Sequence, residues 1–471
     1  MRSGLLLLFT AFFLYGCATT SVPTPEVSPA VFDPTAEAYE RISAAMALGD
    51  PGEAIAEYEE SLLREPDAVQ TRVLLGNLYL AAGDTTSAEE VFLKVLEENP
   101  ADSNALFGLS VIAGTRNDTA REQELLERAV EADPENTTAR AALGEILLQL
   151  RRYKKAEEVF TEALQHDPDH LVALIGMGNL QLRTEKPEKA EAVLSRAIET
   201  APDYSFSYAD RSRALSMQYR LDEAENDLST AIGLAEDYPW HRYDRGLVRL
   251  ERNIWSGALE DFNVFIAERP DVFLAYVHRA RAYTAAGDQE AAITDLETAL
   301  ALRPDFHPGF QPYGLLLFEV ERFGEAARFF QRSWAEGNPA DPRDPGVILL
   351  AALSWKLNGD DRKGVEIIEK AAGDLPQDTL YYEMARYLSR SRSGRRSDDA
   401  RILNAVEKER DQGLRIRMKF YLAGQSEADG RTRSAVTLYR EVMETELRGL
   451  PEIRLARSRY EALTQNRDHP E

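Results

Sequence analysis

Cysteine is nearly absent: Cys17 is the only one in 471 residues. A lone cysteine cannot close an internal disulfide, so no covalent cross-link holds the fold. Histidine is scarce too, with six. His166 and His170 lie four apart, but Asp167, Pro168 and Asp169 break the helix that would align them on a metal. There is no Walker loop, no Gly-x-Ser-x-Gly elbow and no cysteine nucleophile. No catalytic residues, no metal site and no cofactor are therefore expected. Positive charge is in deficit, with Lys+Arg 55 against Asp+Glu 80 and a net charge of −25. An acidic body argues against nucleic acid as the main partner, because phosphate contacts require a basic surface.

What the chain has instead is a beat. Val69 to Pro100 reads as two helices around the turn Ala82-Gly83-Asp84. Each helix is too short to be stable alone, so its apolar face must find a neighbour. Pro66, Pro100, Pro134, Pro168 and Pro202 follow each other at 34 residues, and Pro270 and Pro304 keep the phase. A small residue in the second helix of each pair keeps it as well, at Ala54, Ala88, Ala156, Ala190, Ala224, Ala258, Ala292 and Ala326. Four residues later stands a large apolar one: Tyr58, Phe92, Phe160, Leu194, Leu228, Phe262, Leu296 and Phe330. The first helix carries its own small residue at Gly76, Gly144, Gly178, Ser212, Gly246, Ala280 and Gly314. Two helices cross closely only where one side chain is small, and a bulky residue one turn later fills the space beside the crossing.

This length and small–large–Ala–Phe–Pro pattern resembles the tetratricopeptide repeat, or TPR. The resemblance implies an all-α fold: an α-solenoid of about 11–12 antiparallel helix-turn-helix repeats in a right-handed superhelix, with a C-terminal capping helix. Nine repeats are placed at 35–68, 69–102, 103–136, 137–170, 171–204, 205–238, 239–272, 273–306 and 307–341. The first lacks the helix A signature, as suits a terminal unit. The third has Glu122 where alanine is expected, so packing is expected to be loosest there. The ninth, with Pro308 and Pro312, is expected to start its first helix late, near Pro312. Residues 342–446 read as degenerate helix pairs. Residues 447–471 hold the capping helix, Pro451–Leu463, which is expected to close the open end of the stack, and a tail.

The N-terminus reads as an address. Arg2 precedes the apolar run Leu5 to Leu14, which is too short to span a bilayer stably and has the look of a secretory signal. Leu14-Tyr15-Gly16-Cys17 resembles a bacterial lipobox. The expectation is a signal peptide over 1–16, a lipid on Cys17 and a Pro-rich linker over 17–34. The resemblance implies a protein of the bacterial cell envelope that faces the periplasm, and the absence of aspartate after Cys17 favours the outer membrane over the inner one.

Charge and polar spacing give two further expectations. Residues 386–460 hold 18 Lys+Arg and 11 Asp+Glu, a net +7, which leaves −32 for the rest. That basic part reads as a solvated surface, with an acidic partner or anionic lipid as the sharper alternative. Arg211, Arg245 and Arg279 recur at one place in helix A, each 16 residues before Asp227, Asp261 and Asp295 in helix B. They resemble a TPR variant in which arginine and aspartate pair across the repeat, a structural role rather than a ligand ladder.

The function expected is a scaffold that binds a peptide or partner protein in the groove lined by A helices, lipid-anchored at Cys17. The alternative is an assembly factor for an envelope complex, of the barrel-assembly or pilus-secretin type. An envelope enzyme would need a non-repeat domain, and no stretch is long enough to hold one. The clamp that binds acidic chaperone tails is judged absent, because Val73 and Ile175 stand where lysine is required beside Asn77 and Asn179. Positions 2, 5, 9 and 12 of helix A share the inward face. They nominate Trp240, Tyr243, Leu247 and Leu250 as groove residues, with Phe206 and Arg213 from the repeat before and Leu274 and Arg281 from the repeat after.

Overall fold

The computed structural model describes residues 52–65, 68–336, 344–390 and 392–465. Cys17, the 17–34 linker, the first helix of the first repeat and the tail from 466 lie outside them. The described residues are helical throughout, with no strand among them. They belong to two compact units divided between Ala235 and Glu236, where the proline beat misses.

In the first unit a lone B helix, α1 (Gly52–Arg64), is followed by five helix pairs. These are α2 (Val69–Ala81) with α3 (Thr85–Glu98), α4 (Ser103–Thr115) with α5 (Thr119–Ala132), and α6 (Thr137–Gln149) with α7 (Tyr153–His166). Then come α8 (Leu171–Arg183) with α9 (Pro187–Thr200) and α10 (Ser205–Met217) with α11 (Leu221–Leu234). Phe92 on α3 shows what makes the pairs stack. It is fully buried, wedged between Gly76 of its own A helix and Gly108 of the next. A Cβ at Gly76 would stand 2.6 Å from its ring. Phe160 sits in the same way between Gly144 and Gly176.

The third repeat is not looser. Gly114 stands on α4 where the repeats on either side have Leu80 and Leu148. The carboxylate of Glu122 takes that room, at 3.0 Å from where a Cβ of residue 114 would be. The alanine-to-glutamate change is thus matched by a vacancy on the partner helix, while Leu125, Leu126 and Ala129 of α5 remain buried.

The second unit opens with three regular pairs, α12 (Trp240–Glu251) with α13 (Trp255–Glu268), α14 (Phe273–Ala286) with α15 (Gln289–Leu302), and α16 (Phe310–Glu319) with α17 (Phe323–Glu336). A 3-10 turn, His307–Gly309, delays α16, and Pro312 falls in its first turn, where a missing N–H costs nothing. Beyond come α18 (Pro345–Leu357), α19 (Asp361–Ala371), α20 (Leu380–Leu388), α21 (Arg392–Lys408), α22 (Gln412–Ala428), α23 (Thr432–Met443) and α24 (Pro451–Gln465).

Here the simple stack ends, and α24 packs both on α23 and back on α16. α20 is short, and α22 packs directly on α18 across it. Phe420 of α22 lies 6.1 Å, ring to ring, from Phe318 of α16. α24 reaches back to the same repeat: Ser458 Oγ donates to the Glu319 carbonyl at 3.0 Å, and Arg459 donates to Glu321 at 2.6 Å while also pairing with Glu427. Three cations of residues 386–460 pair with carboxylates outside that segment, Arg417 with Asp344, Arg454 with Glu319 and Arg459 with Glu321, while Lys419 and Arg431 pair within it, with Glu407 and Glu441 and with Asp399.

The turn between A and B helices repeats its backbone more faithfully than its residues. Gly83, Asn117, Arg151, Glu185, Tyr219, Asn253, Gly287 and Glu321, 34 apart, all have positive φ. The residue after each donates to a carbonyl near the end of the A helix, as Asp84 does to that of Tyr79 at 2.8 Å and Arg220 to that of Leu215 at 2.9 Å. This satisfies carbonyls left open at a helix end. The left-handed conformation costs a residue with a Cβ about 1–2 kcal/mol. At Gly287 an added Cβ meets nothing within 4 Å, so only the backbone term acts. Gly287→Ala is expected to cost about 1 kcal/mol and Tyr219→Gly to gain a smaller amount, after the glycine's extra chain entropy is lost. Urea denaturation of the two variants checks the opposite signs.

Candidate partner-binding face

The A helices carry two kinds of polar side chain, one turned toward the partner B helix and one toward the opposite face. The Arg–Asp pairs are of the first kind. Arg211 grips Asp227 through Nε at 2.8 Å and Nη2 at 2.7 Å. Arg245 grips Asp261 at 3.0 and 2.7 Å, and Arg279 grips Asp295 at 2.8 and 2.6 Å. The third nitrogen of two of them reaches the preceding B helix, from Arg211 to Ser195 Oγ at 3.2 Å and from Arg279 to Asn263 Oδ1 at 2.7 Å. Each of those two arginines ties three helices together, which is a structural duty.

The nominated face is of the second kind, and its eight residues divide. Phe206 and Arg213 belong to the first unit and the other six to the second. Phe206 is half-buried, and the exposed Arg213 is already held by Asp210 at 2.9 Å, which Asn179 also binds at 3.2 Å. In the second unit Trp240, Leu247 and Leu274 are half-buried and Arg281 is exposed. Tyr243 and Leu250, nominated as groove residues, are core instead, at 8% and 3% exposure. The Tyr243 ring is enclosed by Phe262, Phe265 and, on the next A helix, His278, at 5.9, 4.9 and 5.8 Å. Trp240 leans on Phe265 at 5.0 Å with Arg269 over its outer side at 5.7 Å.

Counting positions 2, 5, 9 and 12 misses Glu251, one turn beyond Leu247 on the same stripe. Burial pushes its carboxyl up to about 7, with Arg281 pulling the other way. In the first unit Glu145 is in the same condition, up to about 7 through burial and then the charge of Glu122. The position-9 stripe passes through Glu145 directly, which is the signal the sequence offers.

His170 has a different occupation from metal binding. Its Nδ1 accepts from the Ala173 N–H at 3.3 Å and so caps α8, while Nε2 lies 3.3 Å from Thr138 Oγ1. Among the described residues no three His, Cys, Asp or Glu side chains converge as a metal site.

Sequence models of the tetratricopeptide-repeat family match residues 39–103 and 107–170, 147–214, and 274–306. The chain carries tetratricopeptide repeats. Among curated proteins none matches this TPR chain by sequence. Solved structures do resemble it in fold. A tetratricopeptide repeat protein from Parabacteroides merdae is 19% identical, with 54% of this chain and 99% of that one covered and a TM-score of 0.41. PilW, a type IV pilus biogenesis factor, is 21% identical over 43% of this chain and 94% of its own, with a TM-score of 0.41. YrrB, a TPR protein with an unusual peptide-binding site, is 19% identical over 47% and 96%, with a TM-score of 0.30.

Two predictions concern the polar groups of the TPR pairs. Asp261 also accepts from Arg249 at 2.9 Å, so it serves two arginines. Breaking a buried pair costs about 3–5 kcal/mol. Asp261→Ala is expected at the upper end, Arg245→Ala lower because Arg249 remains, and the double variant below the sum of the singles. Chemical denaturation of the four proteins measures the cycle.

His278 titrates against folding. Burial, and then Arg281, lower it from 6.5 to about 3. Its folded value lies below its unfolded one, so its contribution is complete above pH 6.5 and is lost as pH falls toward 3. Glu251 and Glu145 act in the opposite sense: their raised values favour the folded state below 4.5, and that advantage is lost as pH rises toward 7. The loss between about pH 6.5 and 5 is expected to be smaller in His278→Gln than in the parent, read as the difference between two melting-temperature profiles.

Proposed function

We propose that this chain is a lipid-anchored, periplasm-facing scaffold that captures a peptide or partner protein on the face of its A helices, with the outer membrane as its site. One observation supports the location of capture. Leu247, in the second unit's first repeat, remains half open, whereas Leu315, at the same repeat position in α16, is buried at 8%. At α16 the chain folds back, with Phe420 of α22 against Phe318 and α24 packed on the helix, while Leu247, Leu274 and Arg281 keep apolar and cationic surface available to a partner. Tetratricopeptide repeats as a class serve as such scaffolds, and the anchor is supported by the lipobox-like Leu14-Tyr15-Gly16-Cys17.

The expected outcome for Leu247→Glu with Leu274→Glu is loss of crosslinked partner from the membrane-anchored protein with the melting temperature within a few degrees of the parent. Retained capture would place the partner elsewhere. Cys17→Ser is expected to move the protein to the soluble fraction, because each buried lipid CH₂ contributes about 0.8 kcal/mol to anchoring. Retention on membranes after a high-salt wash would mean another anchor.

A further inference from the structure

We propose that the cleft between α7 and α9, on the B-helix side of the first unit, takes the side chain of a tyrosine from a partner protein. The site lies apart from the A-helix face and does not depend on capture there.

Other repeats show what such a cleft ordinarily holds. In four of them a planar side chain of helix A crosses to residue 25 of the preceding repeat, on its B helix, and donates to it. The Tyr79 hydroxyl donates to Glu59, Arg211 to Ser195 Oγ at 3.2 Å, Arg279 to Asn263 Oδ1 at 2.7 Å and the Tyr313 hydroxyl to Glu297 at 2.7 Å. Each donor stands at position 7 or 11 of its repeat. In the fifth repeat those positions hold Met177 and Gln181, and neither reaches Thr161, the residue 25 that precedes them. A cleft of about 410 Å³ remains, open to solvent along one side. Leu164, Met177 and Val193 line it, with Thr161, Gln181 and Lys189 around them.

Its polar groups require a donor. Gln181 is 5% exposed. Its amide nitrogen is turned to a Glu157 carboxylate oxygen at 3.5 Å and to the Met177 sulfur at 3.4 Å, which assigns the orientation of the amide. Its Oε1 is buried and has no hydrogen-bond partner among the described residues. The Thr161 hydroxyl donates to the Glu157 carbonyl at 2.6 Å, so to anything else it can only accept. Two acceptors thus border an apolar berth that contains no donor, and a buried acceptor left unpaired is costly.

The lining selects among donors. The arginines of the sixth to eighth repeats lie against Asp227, Asp261 and Asp295, whereas the same position here is Val193. Glu157 already has Lys186 at 3.6 Å, and Lys189 stands at the rim. A guanidinium would lose water without gaining a carboxylate, whereas a phenol buries its ring and donates once. Tyr79 and Tyr313 are the precedents within this chain. A cleft open along one side suits a ring presented by another protein's surface, since a small ligand is normally enclosed on most sides.

The test titrates N-acetyl-tyrosinamide into the full chain and follows the isotope-labelled methyl group of Met177 by NMR. A saturable shift is expected, with N-acetyl-phenylalaninamide weaker by about threefold or more, the scale of one hydrogen bond. Gln181→Leu, which copies Leu147, Leu215 and Leu317 of other repeats, should make the two probes bind alike. Gln181→Tyr, which copies Tyr79, should fill the cleft and abolish the shift. Equal binding of both probes to the parent, a stronger response to N-acetyl-argininamide, or a shift of the exposed Met217 as large as that of Met177 overturns the proposal. For the source of the tyrosine, a photo-crosslinking benzoyl-phenylalanine replaces Lys189 in the full chain expressed in cells. Adducts are expected on protein segments that hold a tyrosine, and are expected to vanish in Gln181→Tyr. If the tyrosinamide binds but no such adduct forms, the ligand is a free aromatic compound and the assignment to a partner protein is overturned.

Discussion

The stack depends on one steric condition: the bulky residue of each B helix must find room between two A helices at once. Phe92 meets it with a glycine on either side, and so does Phe160. Where the following A helix carries something larger, the wedge shrinks. Leu126 precedes Ala142 in this register, Leu194 precedes Asp210, and Leu296 precedes Pro312. Phe262 and Tyr58 depart from this: Phe262 meets His278 as a stacked ring, 6.2 Å away at 21°, and Tyr58 packs half-buried against Leu74. Interiors close-packed to crystal density leave no other option, so the wedge and the residue facing it vary together from repeat to repeat.

That condition explains what can be read from the chain alone. Helix pairs, the period and the Arg–Asp pairs are local relations between residues no more than one repeat apart, and the repeat writes them out several times. The turn is legible only where it holds glycine. Arg151, Glu185 and Tyr219 adopt the same left-handed backbone because the helix pair on either side fixes it, and nothing in those side chains announces it. Gly114 and Glu122 mislead when each is judged separately, because the vacancy and the carboxylate are two halves of one substitution. Tyr243 misleads for a related reason: helical spacing tells which side chains share a stripe, but not which neighbouring ring covers them.

The closing region is the least legible because its contacts have no period. Arg459 meets Glu321 across 138 residues, and Tyr421 donates to the Gly346 carbonyl across 75 at 3.1 Å. Only the composition gives a hint. The net +7 of residues 386–460 looks like surface, and part of it neutralises Asp344, Glu319 and Glu321, carboxylates far back in the chain. Arg459 shows why arginine suits this position. Its planar fork holds Glu427 and Glu321 together while its face covers Phe323 at 5.0 Å.

Closure also sets where recognition can occur. A face made of A helices is a binding surface only while no other helix lies on it, and α22 and α24 lie on that of α16. The side chains there are core: Phe318 is fully buried and Glu319, paired with Arg454, is nearly so. Two repeats earlier the corresponding stripe holds Leu247 and Glu251, half open, with Arg281 beside them. Glu251 and Glu319 occupy the same repeat position, and the comparison separates their fates. In the ninth repeat the chain supplies the cation itself, and the carboxylate is neutralised from α24. In the seventh the carboxyl of Glu251 stays half open, raised by burial with Arg281 opposing. The same residue type at the same position is locked in an ion pair where the chain folds back over it and stays half open where it does not.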